Sequence, residues 1–396
     1  MFSGRRLSID RGVAGVFIFI ALTCSGARAA DFQTLYAFTG GQDGEAPFSV
    51  IQDAAGNLYG ATFAGGDVTC QCGTIFKVAP DGGETTLYSF KGGNDGAYPQ
   101  TGLARDSAGN LYGATNGTGN FPGTVFKLDP GGHLTTLHAF QELGDGKNPL
   151  GSPILDRQGR LYGTTIHGGQ VGRGTVYRIA PNGKERVLHS FGGTSRNGDG
   201  DSPGSALIMD RDGNIYGTTI AGGSNACGSG GCCAGTGCGT VFKVAPDGTT
   251  TILYRFLNDG HGKFPVGSVA MDRKGNLYGM TQQGGGAGTI FKLEPDGTKS
   301  ELYLFGIGTG GVPHAGLIID RRGNLFGTAE GGANGDGVAF ELSAHGAYTV
   351  LHDFTDNNDP SVNNLVLGVG GELFGSTRAY TFECPSTCGT VFKIER

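Results

Sequence analysis

Along most of the chain, apolar positions alternate with small or polar ones over stretches of about five to seven residues, and each stretch ends in Gly, Pro, Asn or Asp. Period-two patterning of this kind predicts β-strands, and no sustained 3.6-residue apolar period competes with it. Residues 101–140 show the unit. Thr101–Asp106 reads as a first strand (a), Leu111–Thr115 as a second (b), Gly123–Leu128 as a third (c) and Leu134–Phe140 as a fourth (d). Ser107–Asn110 and Pro130–Gly132 supply turns between them.

The unit repeats. Gly-Asn-Leu-Tyr-Gly or a close variant occurs seven times, with its aromatic at Tyr59, Tyr112, Tyr162, Tyr216, Tyr278, Phe326 and Phe374. Gly-Thr-(Val/Ile)-Phe-Lys in full or variant form places Phe76, Phe126, Tyr177, Phe242, Phe291, Phe340 and Phe392. Leu-(Tyr/His)-x-Phe ends at Phe38, Phe90, Phe140, Phe191, Phe256, Phe305 and Phe354. Four strands per repeat of about 50 residues suggest propeller blades. After the first thirty residues the order opens with a d strand, Thr34–Phe38, and it closes on a c strand, Gly389–Ile394. A ring accounts for that permutation, because the early d strand completes the blade whose a, b and c are C-terminal and leaves no unpaired edge. The fold expected is all-β, a closed seven-bladed β-propeller over residues 30–396. An open β-solenoid or a pair of smaller sheet domains is the alternative.

Composition narrows the picture. Gly contributes 78 of 396 residues, which disfavours helix, and its lack of a three-residue period excludes collagen. With 37% hydrophobic residues, 24 Phe and 13 Tyr, the chain has the material for a core. A net charge of −6 without long single-sign runs argues against nucleic-acid partners. The start differs: Arg5, Arg6 and Arg11 precede an apolar run from Gly12 to Cys24, and Ala27-Arg28-Ala29 follows. Residues 1–29 are therefore expected to be a secretory signal peptide, with a retained N-terminal anchor as the alternative, and an exported product that is periplasmic, cell-surface or secreted.

The repeated residues read as structural. Asp53, Asp106, Asp156, Asp210, Asp272 and Asp320 lie three residues before a turn Gly, where a carboxylate accepts backbone N–H bonds, and Gly368 replaces the seventh. Strand direction puts the short a–b and c–d turns on one face and the variable b–c and d–a loops on the other, where a site is expected. In the d–a loops Asp43, Asp95, Asp145, Asp199 and Asp356 lie four residues before a Pro, with His261 and Thr309 in the other two. They are candidates for a ring at the channel mouth, or else for Asp-Gly turn chemistry. Residues outside the repeat on this face, His167, Gln282, Gln283, Glu330 and Arg378, complete the candidate binding set.

Other matches fail. Gly306–Gly311 fits G-x-G-x-x-G but precedes a strand, and Asn197–Asp201 starts like a calcium loop without its turn glycine or terminal Glu. No nucleophile–base or metal-ligand motif is present. No cofactor is expected, with calcium in the Asp-rich loops as the alternative. Eight cysteines, Cys70, Cys72, Cys227, Cys232, Cys233, Cys238, Cys384 and Cys388, fall in three b–c loops, and an even count in an exported chain predicts disulfides. Local pairing is expected: Cys70–Cys72 and Cys384–Cys388, or a link between these adjacent loops, with two bridges inside Cys227–Cys238. Zinc held by Cys227, Cys232, Cys233 and Cys238 is the rival.

The combined unit, Asp-x-x-Gly-Asn-Leu-Tyr-Gly-x-Thr…Gly-Thr-Val-Phe-Lys…Pro-Asp-Gly…Leu-Tyr-x-Phe, resembles the GloVer tandem repeat of exported bacterial "choice-of-anchor" proteins over nearly all of residues 32–396. The resemblance implies a bacterial cell-surface or secreted protein. Single blades are similar to NHL and kelch repeats at the level of fold alone. The function expected is a non-catalytic binding propeller, monomeric, using the b–c/d–a face for a protein or glycan ligand. The alternative is a lyase or hydrolase acting on a carbohydrate or small molecule, with His167, His261, Glu330 or a loop Asp as acid or base.

Overall fold

A computed structural model describes residues 30–117, 122–141, 144–192, 198–223, 227, 237–306, 310–332, 336–354, 361–378 and 388–396. Residues 1–29, and with them the expected signal peptide, lie outside this set, as do Asp356, Thr309, Cys232, Cys233 and Cys384. The strands form seven antiparallel sheets, each ordered a-b-c-d. Closure follows the expected permutation. Asp31–Ala37 pairs antiparallel with Thr390–Glu395 as strand d of blade 7, from Asp31 opposite Glu395 to Ala37 opposite Thr390.

Every seam between blades carries the same aromatic contact. The Phe that ends each d strand meets the c-strand ring of the next blade edge-on or tilted. Centroids are 4.9 Å apart for Phe38–Phe76, 5.1 Å for Phe191–Phe242 and 5.3 Å for Phe354–Phe392. Gly60 is needed beneath these rings, because a Cβ there would lie 2.5 Å from the Phe76 ring. Blade 3 departs from the others by carrying Tyr177, which is fully buried and whose hydroxyl has no hydrogen-bond partner. Burial pushes its phenol well above the ordinary range, with nearby Glu185 adding to the effect. Tyr177→Phe removes a desolvated, unpaired group at nearly constant shape. It is expected to raise stability by about 1 kcal/mol, read as a higher urea midpoint at unchanged slope.

Strand a is where the sequence reading and the structure part. Instead of Thr101–Asp106, only Ala104–Arg105 is laddered in blade 2. In blade 1 strand a splits into Glu45–Pro47 and Ile51–Gln52. A device repeated at the d–a loops accompanies these short strands, although in blade 5 strand a runs unbroken over Lys263–Met271. The residue before the loop proline has a left-handed backbone at Ala46, Tyr98, Asn148, Ser202 and Phe264, with φ between 54° and 58°. A non-Gly residue there costs about 1 kcal/mol. Each amide so turned donates to the preceding blade: Ala46 to Cys388 O (2.8 Å), Tyr98 to Cys72 O (2.8 Å) and Phe264 to Cys238 O (2.9 Å). The proline that follows packs on the glycine of the neighbouring Gly-Thr phrase, Pro99 on Gly73 and Pro149 on Gly123. The chain beyond the proline then faces the axis rather than its own sheet.

The a–b turns follow the expected chemistry and add a contact. Asp106 accepts from the amides of Ala108 (3.0 Å) and Asn110 (2.9 Å), from the Asn110 side chain (2.7 Å) and from the Tyr112 hydroxyl (3.0 Å). The repeated Tyr is thus core along its ring and a clamp on the turn at its tip.

Candidate functional site

The segments that lead from the loop prolines into the first strands of all seven blades line a cavity of about 350 Å³ on the ring axis. Its inner wall is a belt of small polar residues joined from blade to blade. Gly102 N donates to Ser152 Oγ (2.8 Å), Gly316 N to Asn364 Oδ1, and Asn364 Nδ2 to Ser49 Oγ (3.2 Å). Asn363 Nδ2 reaches Pro47 O (2.9 Å) and Ser376 Oγ (3.1 Å), tying blade 7 to blade 1 across the closure. Hydroxyls on strand b reinforce the belt: Thr164 donates to Ser205 O and Ser376 to Phe48 O.

Above the belt, toward the b–c/d–a face, the residues diverge. Six positions before the turn Asp, blades 2 to 6 carry Gln100, Leu150, Gly204, Val266 and His314, all of them lining the cavity. His314 joins two of the sequence candidates. Its Nε2 lies 3.1 Å from Glu330 Oε1 and its Nδ1 lies 3.4 Å from Gln282 Nε2. Arg378 lines the same cavity with its guanidinium 5.1 Å from the Phe48 ring centroid, a cation–π contact. Asn116 Nδ2 donates to Gln100 Oε1 (3.1 Å). No carboxylate lines the cavity among the described residues.

The loop aspartates are elsewhere. Asp43 accepts from Tyr36 Oη (3.0 Å), Thr39 N (2.8 Å) and Thr39 Oγ1 (2.7 Å), and Asp95 from Tyr88 Oη and Lys91 N, both at 2.8 Å. Asp145 meets His138 Nε2 at 2.7 Å and Asp199 meets His189 Nε2 at 3.1 Å. Each carboxylate thus ties the loop to the outermost strand d rather than facing the axis. Burial, then the Asp43 bond, pushes the Tyr36 phenol up to about 12. The glycine after each Asp packs on a buried Thr pair, as Gly44 does on Thr62, which leaves no room for a Cβ. His261 is exposed at the rim beside Glu301 (3.3 Å), and His167 is exposed at the end of strand b in blade 3. Of the candidates, Gln282, Glu330 and Arg378 converge on the axial cavity or its lip. His167, His261 and the four described aspartates do not.

Sequence reasoning missed His314, Gln100, Asn363 and Asn364. Their signal was available: Gln100 and His314 stand where other copies carry Leu150, Gly204 or Val266, and Asn364 stands where other copies carry Ser, Gly or Ala.

Two expected disulfides are present. Cys70–Cys72 bridges Cα atoms 5.0 Å apart and Cys227–Cys238 bridges Cα atoms 5.4 Å apart. Cys388 is disulfide-bonded as well. The second bridge occupies two of the four thiols that the zinc alternative requires. Cys72, Cys238 and Cys388 are the residues whose carbonyls accept the amides that lock the next blade, so these bridges anchor loops at blade seams. Asp199 and Asp201 bond to His189 and to Arg173. Among the described residues no three His, Cys, Asp or Glu side chains group as metal ligands.

The Gloeobacter/Verrucomicrobia repeat model matches residues 18–231 and 229–396, which is nearly the whole ring. The chain belongs to that repeat family. In sequence, no curated protein matches it. Among solved structures, it is similar to the extracellular domain of BT4673 from B. thetaiotaomicron, with a TM-score of 0.56 and 12% identity over 93% of this chain and 40% of that one. The gluconolactonase XC5397 from Xanthomonas campestris gives a TM-score of 0.47 and 15% identity over 89% of this chain and 96% of that one. A luciferin-regenerating enzyme gives 0.47 and 16% over 75% and 91%. At such identities likeness speaks to fold alone. In this member of the Gloeobacter/Verrucomicrobia repeat family, no helix among the described residues is long and apolar enough to cross a membrane.

Proposed function

We propose that this repeat protein is an exported, non-catalytic binding propeller that holds a small polar ligand, such as a glycan end, in the axial cavity on the b–c/d–a face. The observation that carries the reading is divergence at one register. Where the fold asks only for a residue facing the axis, the blades present Gln100, Leu150, Gly204, Val266 and His314. Amide, hydroxyl and imidazole groups in a concave, carboxylate-free wall match a ligand rich in hydroxyls and carbonyls. The disulfides fit an oxidising compartment.

Calorimetry of the mature protein against glycan and metabolite panels tests the reading. A binder should be weakened roughly threefold to tenfold by Gln282→Ala or His314→Ala, as loss of one hydrogen bond implies. Ligands that bind both variants as tightly as the parent would place the site elsewhere.

The His314–Glu330 contact favours a second reading, in which the imidazole is a general base oriented by the carboxylate. Both ring nitrogens already face partners, so a substrate would have to displace Gln282. Turnover lost in His314→Ala but kept in Gln282→Ala would support that chemistry over simple binding.

A further inference from the structure

The opposite face of the ring, made of the a–b and c–d turns, presents a charge pattern that neither folding nor the axial cavity uses. Six of the seven a–b turns are held by an Asp carboxylate, which accepts the amide of the second apex residue: Lys274 N to Asp272 (2.8 Å) and Arg322 N to Asp320 (2.8 Å). The apex side chains take no part in that bonding. Blades 1 and 2 accordingly carry Ala54-Ala55 and Ser107-Ala108 there. Blades 3 to 6 carry Arg157, Arg211, Arg273-Lys274 and Arg321-Arg322, all exposed, with Asp212 the one opposing charge at these apices. Five arginines and a lysine therefore form a crescent around the channel's second mouth in a chain whose net charge is −6.

In blades 5 and 6 the four apex cations line one open cleft of about 420 Å³. The acids beneath them, Asp272 and Asp320, have their oxygens taken by turn amides and by Asn276 and Asn324, and Arg396 approaches Asp320. Further out, the c–d turns place Asp81, Asp129, Asp247 and Asp296 on this side. At physiological ionic strength fields fade over about 8 Å, so a partner touching the inner crescent meets the cations first.

We propose that the a–b turn face docks on an anionic lipid bilayer through this crescent. Two observations favour a bilayer over a soluble polyanion. Six of the turns share one Asp-x-x-Gly design, which sets their apices at one register on the same face of the ring. The neighbouring blade 7 turn exposes Val369 at 87%, an apolar contact suited to the headgroup boundary, while among the described residues no large aromatic is one of the exposed hydrophobics that could stack on sugar rings. Arginine forks pair with phosphate oxygens in a bidentate manner.

Co-sedimentation of the mature protein tests this, using vesicles of phosphatidylcholine alone or with about one third phosphatidylglycerol. The parent should partition onto the anionic vesicles, falling as salt rises, and little onto the neutral ones. Arg273→Ala/Lys274→Ala/Arg321→Ala/Arg322→Ala should lose roughly tenfold or more of that partitioning. Its melting temperature should not change, since blades 1 and 2 fold with small residues at these positions. Removing Lys91 and Lys147 on the other face should leave vesicle binding unaltered. Equal binding to both vesicle types, undiminished binding by the fourfold variant, or binding to polygalacturonate without binding to vesicles would each overturn the proposal. All three outcomes are independent of what the axial cavity holds.

Discussion

Phe38→Ala is expected to destabilise the ring by about 3–5 kcal/mol, the cost of a large core cavity, on a total that for most domains is only about 5–15 kcal/mol. Phe38 is 1% exposed and packs edge-on against Phe76 at the seam that follows the closing strand. It extends Asp31–Ala37, whose hold on Thr390–Glu395 is, among the described residues, the sheet pairing that joins the two ends of the ring. Deleting residues 30–38 should go further. It would uncover Val391, Phe392 and Ile394, all fully buried, and leave Thr390–Glu395 as a raw edge. Loss of a cooperative melt in the truncated protein, recovered by adding the excised segment as a peptide, is the predicted outcome. A truncated ring that melts within a few degrees of the parent would show that closure contributes little.

Acid should unfold the protein steeply below about pH 4. In Asp53, Asp106, Asp156, Asp210, Asp272 and Asp320, burial alone would raise the pKa, but the hydrogen bonds from turn amides and side chains together outweigh it and hold all six below the ordinary carboxylate value. A depressed folded pKa contributes stability that is present above the unfolded value and is lost as pH falls through the folded one. Each such proton adds a slope of about 1.4 kcal/mol per pH unit within its window. Glu45, Glu84 and Glu185 act the other way, since burial raises their pKa values, so they destabilise the fold above the window and cease to do so as they are protonated. Greatest stability is therefore expected near pH 4–5, with a sharp fall below. Urea midpoints between pH 3 and 7 would show it, and a midpoint that is level or still rising at pH 3 would contradict it.

What the chain declares about itself is local. The Asp-x-x-Gly turn is legible because carboxylate, amides and the clamping Tyr112 lie within six residues of Asp106. Strands b, c and d are legible because period-two apolar patterning reports their burial directly. The broken strand a is not legible, since the left-handed Tyr98 is held by a carbonyl of Cys72 in the preceding blade. The direction of Asp43 escapes for the same reason. Nothing in an Asp-Gly dipeptide says whether its carboxylate turns to the axis or back to Tyr36.

The candidate site shows this most clearly. His314 has Glu330 sixteen residues after it in its own blade and Gln282 thirty-two before it in the neighbouring one, and the packing of blade on blade brings Gln282 to the same lip. The apex arginines are likewise dispersed in sequence, Arg157 and Arg211 fifty-four residues apart, so no charge run announces them. The amino-acid sequence by itself determined the blade, its turns and the number of copies, because those depend on patterns and contacts within a repeat. Which residues of different repeats become neighbours around the axis was decided by closure of the ring, because circumferential adjacency is a property of the assembled sheets and of no single stretch of chain.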